Sequence, residues 1–329
     1  MSDGPKYSIG FDLGGTKMMA CLFDEKFKAI ARRRRPSKGQ EGPDSGLERM
    51  MEAIQGVLDE AKVTQEEVAA IGVGAPGVVN LANGMLRHAP NLGWTEVPIG
   101  QVIRSRFGAF TKILNDVDAG AYGEYKLGAG KGASTLVAVF PGTGVGAGCV
   151  IEGRLLTGKN ASCMELGHTR VHVAHLGTER GDPPVMESIC GRLGIASAAI
   201  AEAYRGNAPF LLKEVGTDLE NVKSGALARA IEAGDIGVRR IMENSIHHLG
   251  VAVSNVVDLL GPDVVVLGGG LVDRFSKLYI KGVSAAIQKY ASAALAQEVE
   301  VRQAKLGDDA VAAGAAAFAL AQSLEAAPK

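Results

Sequence analysis

The chain has 329 residues, too many for one small core and enough for two lobes. Apolar residues make up 47% and charged residues 22%, the balance of a water-soluble globular protein, and a net charge of −1 argues against the basic excess by which nucleic-acid-binding proteins hold phosphate backbones. The 44 glycines are near twice the usual share of about 7%, and many of them cluster at the ends of apolar runs.

Residues 7 to 13 and 16 to 24 read as two strands joined at Gly14-Gly15. The run Arg32-Arg33-Arg34-Arg35 ends at Pro36 with no aromatic interleaving, which fits a solvated strand edge. A polar loop, Ser37 to Ser45, with freedom to move, leads to a helix from Leu47 to Ala61, where Leu47, Met50, Met51, Ile54, Val57 and Leu58 recur at helical spacing. Val68 to Gly74 and Thr111 to Leu114 are short β-rich runs, and Asn115-Asp116 introduces a small-residue helix to about Tyr125. A second strand-rich block begins at Ser134, helical patterns dominate from Ile195 to Leu260, and a buried strand, Val264 to Leu267, precedes a helix from about Arg274. The alanine-rich tail Asp308 to Leu320 reads as a closing helix. The lobe boundary is placed near Asp116, giving a smaller lobe of residues 1–116 plus about 300–329 and a larger one of residues 117–299.

Cys21, Cys149, Cys163 and Cys190 show no close pairing, so a reducing cytoplasm is the expected compartment. The polar start reads as no signal peptide. The longest uncharged stretch, Leu136 to Ile151, is broken by Pro141 and glycines, so no membrane partner is expected.

Five segments carry candidate chemistry. In Asp12-Leu-Gly14-Gly15-Thr16-Lys17 the glycines permit positive φ and leave backbone N–H groups open to an anion, and Asp12 can hold Mg²⁺ or a water beside it; a plain hairpin turn is the alternative. Gly142-Thr143-Gly144-Val-Gly146, after a strand and before another, fits phosphate cradling better than a dinucleotide fingerprint, which needs a following helix; a plain hairpin is the alternative here too. Gly268-Gly269-Gly270 ends a buried strand, where a flat ring or ribose can lie against backbone, or where the chain simply turns into a helix. Asp116, at a strand end and a helix start, is either a plain N-cap or a base able to take a proton from an attacking hydroxyl. Glu165 and His168, with Glu187 farther on, offer acceptors suited to sugar hydroxyls.

Taken in order, these segments resemble the ROK family of sugar kinases and sugar-responsive repressors over nearly the full length. Asp12 to Lys17 is similar to that family's first phosphate motif, Asn115-Asp116 to its catalytic pair, Gly142 to Gly146 to its second phosphate motif, Glu165-Leu-Gly-His168 to its sugar-binding signature and Gly268-Gly-Gly270 to its adenosine turn. The resemblance implies an α/β fold of the two-lobed, actin-like ATPase (ribonuclease H-like) type, with an interlobe cleft that closes on sugar and ATP. It also implies an ATP- and Mg²⁺-dependent hexokinase acting on the 6-hydroxyl of glucose or a close aldohexose. Asp116 is then the base, with Gly77, Asn115, Glu165, His168 and Glu187 around the sugar and a homodimer as the assembly. An N-acetylhexosamine kinase is the runner-up, and a non-catalytic sugar sensor a third reading.

Two departures stand out. Asn-Asp-Val-Asp118 replaces the family's usual Asn-Asp-Ala-Asn, so a second carboxylate stands near the base. The family's zinc-ligand positions fall on Thr178, Arg180 and Val185, with Gly181 and Pro184 between them, so a structural zinc is expected to be absent. A relocated site would have to draw on His172, His175 and Cys163 or Cys190.

Overall fold

The computed structural model describes residues 5–159, 162–171 and 182–326. The chain divides into two compact units: Met1–Gly132, Gly148–Met164 and Lys305–Lys329 in the first, Ala133–Ala147 and Glu165–Ala304 in the second.

The first eight strands are β1 (Tyr7–Leu13), β2 (Lys17–Phe23), β3 (Ala29–Pro36), β4 (Val68–Ala75), β5 (Val78–Asn80), β6 (Met85–Ala89), β7 (Trp94–Val97) and β8 (Phe110–Asn115). The main sheet runs β3-β2-β1-β4-β8, antiparallel among the first three and parallel from β1 to β8. Side chains alternate across it. Ile9, Phe11 and Leu13 join Met18, Ala20 and Leu22 in one core, while Met19, Cys21 and Phe23 face the other way. With both faces apolar, both must be covered. The helix Pro43–Ala61 covers the first face through Met50, Ile54, Val57 and Leu58, and the helix Ala310–Ala326 covers the second. Each large apolar side chain so buried stabilises the fold by roughly 1.5–3 kcal/mol. The closing helix sits at backbone contact, because a Cβ on Gly10 or Gly72 would lie 1.9 Å from the carbonyls of Ala312 or Ala315.

Two expectations change here. The helix begins at Pro43, ahead of Leu47, because a proline in its first turn presets φ and Gly42 (φ 90°) turns the chain in. The segment Ser37 to Ser45 is anchored rather than free: Ser37 is buried and Trp94 Nε1 donates to the Gly39 carbonyl at 3.1 Å. The arginine run does lie on the edge strand, and it is tied down as well, since Arg32 pairs with Asp309 at 2.6 Å and Arg34 with Asp308 at 3.1 Å.

The later strands are β9 (Thr135–Pro141), β10 (Val145–Ile151), β11 (Arg154–Leu155), β12 (Val264–Leu267) and β13 (Glu300–Gln303), in the order β11-β10-β9-β12-β13. β12 is wholly buried and pairs parallel with β9 and β13, as its uninterrupted apolar run requires. Helices Ile236–Leu260 and Gly270–Tyr290 pack against each other where Gly250 and Gly282 leave room for Ala286 and Ile246. The second of these starts at Gly270, not Arg274, and is broken by non-helical angles at Phe275, which hides its first turn from a periodicity reading. Among the described residues no helix is long and apolar enough to cross a membrane.

Candidate active site

In the first unit, β1 ends by delivering Asp12 into the glycine turn. Gly14 N–H donates to the Lys17 carbonyl at 3.1 Å, and Ser37 Oγ donates to the Gly14 carbonyl at 2.5 Å while Ser37 N–H donates to Thr16. Ser37 thus pins the backbone of the turn from both sides, and no local pattern marks it. Neither Gly14 nor Gly15 adopts positive φ, contrary to expectation. Gly14 is needed for close approach, since a Cβ would lie 2.7 Å from the Lys17 carbonyl oxygen, and Gly15, Thr16 and Lys17 are left exposed. A cavity lined by Asp12, Lys17, Arg34, Gly307 and Asp308 opens beside the turn. Burial first and the Asp116 charge second push the Asp12 carboxyl up to about 7, against partial relief from Lys17. A cation there would relieve that crowding, so the donor set fits Mg²⁺ held by one carboxylate and substrate phosphates, its common mode. Among the described residues no group of three His, Cys, Asp or Glu side chains forms a ready-made metal cage.

Asp116 opens the helix Asp116–Lys126 directly after β8. Asn115 caps that helix by accepting from Val117 N–H at 2.9 Å and Asp118 N–H at 3.3 Å, and its amide donates to the Gly77 carbonyl at 3.1 Å. Gly77 has φ 81°, and a Cβ there would meet the His88 carbonyl at 2.2 Å. Asn115, Asp116 and Gly77 are therefore brought together. Asp118 is buried and accepts from Ser162 Oγ.

In the second unit, Glu165 precedes a single helical turn, Leu166–His168, and Glu187 opens the short helix Glu187–Cys190. His168 Nε2 lies 4.0 Å from Glu187 Oε1. The turn at Gly142, Thr143 and Gly144 packs on the same ground: Arg192 N–H donates to the Gly142 carbonyl at 2.9 Å, and a Cβ on Gly144 would lie 2.3 Å from Glu187 Oε2. Gly146 follows in β10 without positive φ. Gly268 and Gly269 approach Phe140 and Pro141, just ahead of that turn, and Gly269 (φ 87°) caps the helix that begins at Gly270. The candidate sugar acceptors, the turn of residues 142–146 and the turn of residues 268–270 thus lie together at the ends of parallel strands β9 and β12, where such sheets bind ligands.

Of the three positions that match the family's zinc ligands, Val185 alone lies among the described residues. Thr178, Arg180 and Gly181 lie outside the described residues, as do His172 and His175. Val185 carries no donor, and around it Val171 N–H donates to Pro184 and Met186 N–H to Thr169, both at 2.9 Å. Cys163 donates to the Leu156 carbonyl, and Cys190 donates to Ser245 with its thiol pushed up to about 12 by burial.

The fold is α/β, of the actin-like ATPase type shared by sugar kinases. The ROK family model matches residues 8–322, and the chain belongs to the ROK family. It is 28% identical over 316 residues to a glucokinase of Halalkalibacterium halodurans, covering 94% of this chain and 93% of that one. It is 27% identical over 317 residues to an N-acetyl-D-glucosamine kinase of Pasteurella multocida, covering 95% and 99%. A ROK family glucokinase from Streptomyces griseus, solved with glucose and AMPPNP, superposes with a TM-score of 0.78 at 25% identity, over 95% of this chain and 98% of that one. By its family and its glucokinase relatives the chain is an ATP-dependent sugar kinase.

Proposed function

We propose that the chain transfers the γ-phosphoryl group of ATP to the 6-hydroxyl of glucose or a close aldohexose. The observation that carries this reading is the seating of Glu187 against Gly144 with His168 4.0 Å away, which brings hydroxyl-binding groups and a phosphate turn onto one piece of backbone. Asp116, at the first position of its helix, takes the proton from the attacking hydroxyl. Asn115 fixes the start of that helix and the Gly77 loop. Glu165, His168 and Glu187 orient the ring, the two glycine turns and Lys17 hold the phosphates, and Gly268 to Gly270 receive the adenosine. Asp12 would hold Mg²⁺, which when bound offsets charge on the phosphates.

The resemblance to the Pasteurella enzyme supports a second substrate class, N-acetylhexosamines, which differ only near the 2-position. A coupled ADP-release assay over hexoses, ketoses and N-acetylhexosamines tests both. Aldohexoses are expected to give the highest kcat/KM; equal or better values for fructose would overturn the proposal, and a clear preference for an acetamido sugar would promote the second class. We further propose a cytoplasmic, zinc-free homodimer, which light scattering and elemental analysis check.

A further inference from the structure

The chain passes between its two units four times, at Gly132/Ala133, Ala147/Gly148, Met164/Glu165 and Ala304/Lys305. On the first unit's side all four passages meet one helix, Asp116–Lys126. Near its start, buried Asp118 accepts from Ser162, two residues before the third passage. Gly148, at the second passage, lies so close that a Cβ would be 2.7 Å from Ala121 Cβ and 3.5 Å from Asp118 Oδ1. Near its end, fully buried Glu124 holds the other two. Its Oε2 accepts from Ala129 N–H at 2.7 Å, shortly before the first passage, and its Oε1 accepts from Lys305 and Leu306 N–H at 2.9 and 2.8 Å, immediately after the fourth.

Plain helix capping does not account for this set. A cap satisfies the last carbonyls of its own helix, whereas the Glu124 carboxylate receives N–H groups from a segment 181 residues away. Both oxygens face donors, which only a carboxylate can serve; a glutamine would aim its own NH₂ at one of them. Gly128 is fixed by the same arrangement, because a Cβ there would lie 2.0 Å from Glu124 Oε2. The helix that gathers the four passages also presents Asp116 at its first position.

We propose that Asp118 and Glu124 are positioning residues that tie three of the four passages to the Asp116 helix, the second passage packing on Ala121 of the same helix, so that any displacement of the passages is delivered to the base. This rests on Asp116 being the base of a sugar kinase. The test uses the full chain as Glu124→Gln and, separately, Ser162→Ala, which removes only the donor to Asp118. Steady-state kinetics, calorimetric sugar Kd, melting temperature and amide exchange are measured for each. Displacements near 1 Å cost on the order of 100-fold in rate, so kcat is expected to fall about 10- to 100-fold for Glu124→Gln and less for Ser162→Ala. Sugar Kd is expected to stay near the parent's, with faster exchange at Ala129, Lys305 and Leu306 in Glu124→Gln. Parental kcat in a folded Glu124→Gln with faster exchange overturns the proposal. So does a kcat loss that vanishes when the assay is cooled well below the melting temperature, or a raised KM at constant kcat. A parent that phosphorylates no sugar overturns the kinase reading and this proposal with it, whereas an active parent with unaffected variants overturns the coupling alone.

Discussion

In the first unit Asp12 stands with Asp116 and Asp308 near enough that their charges, added to burial, push its carboxyl up to about 7. In the second, Glu187 and His168 stand 4.0 Å apart with side chains 39% and 69% exposed. Both regions are acidic groups beside a glycine turn, yet one is crowded out of water and the other is open to it. Crowding that water does not relieve leaves groups poised to take a proton or a cation; open, spaced acceptors lend themselves to hydrogen bonding. The comparison suits the first region to the proposed chemistry and the second to the proposed sugar recognition.

The largest effect that can break this assignment is at the base. Asp116→Asn is expected to lower kcat by about 10²- to 10⁴-fold with sugar Kd nearly unchanged, as rapid quench and calorimetry would show. Near-normal turnover, or a greater loss in Asp118→Asn, would move the chemistry elsewhere. Next comes the recognition side. Gly144→Ala puts a Cβ 2.3 Å from Glu187 Oε2 and must displace that acceptor. The KM for sugar is expected to rise about 10-fold or more, the loss of one or two good hydrogen bonds, with a smaller change in kcat. Gly15→Ala, whose nearest neighbour is Asn91 Cβ at 3.3 Å, is expected to leave that KM alone. If the two alanine variants have the same effect, the contrast between the turns is empty.

A smaller effect follows from Asp12. Its carboxyl rises from 3.8 to about 7 on folding, so between those values the native state holds a proton that the unfolded chain has released. Stability contributed by that proton is present in acid and is lost as pH climbs to about 7. Three pH units set an upper bound of about 4 kcal/mol, reduced by water at a side chain that is only partly covered. Asp12→Asn is expected to raise the melting temperature of the nucleotide-free protein by a few degrees at pH 8 and hardly at all at pH 4. Equal gains at both pH values would show that charge crowding is not the cause. The smallest expected effect is none: dialysed protein carries no stoichiometric zinc, and a zinc chelator in excess Mg²⁺ leaves activity intact. About one tightly held zinc per chain would refute this.

Much of this site is legible in the sequence because its motifs are local. Asp12 with its turn, Asn115-Asp116 and Glu165 with His168 each lie within a few residues of one another, and periodicity finds the strands that carry them. What escapes has partners far along the chain. Ser37 is marked only by its bond to Gly14, and the Glu124 clamp only by Lys305 and Leu306. The sheet of β5, β6 and β7 leaves no clear alternation in its short strands and goes unread. Gly14 and Gly15 matter for a reason other than the backbone angles that glycine allows, since neither has positive φ. Composition signals that a Cβ is unwelcome, but whether backbone angle or a neighbouring atom forbids it depends on packing that no local pattern contains.

The closing helix has a consequence for how the chain is made. Ala310–Ala326 covers one face of a sheet whose first strands are synthesised roughly three hundred residues earlier. Until residues 310–326 have left the ribosome, Met19, Cys21 and Phe23 have no Ala312, Ala313 or Ala316 to lie against. The first unit therefore completes itself only after the residues of the second have been made, with an apolar sheet face in the waiting period that chaperones or nascent neighbours can reach. Loss of the final helix would leave that period without an end.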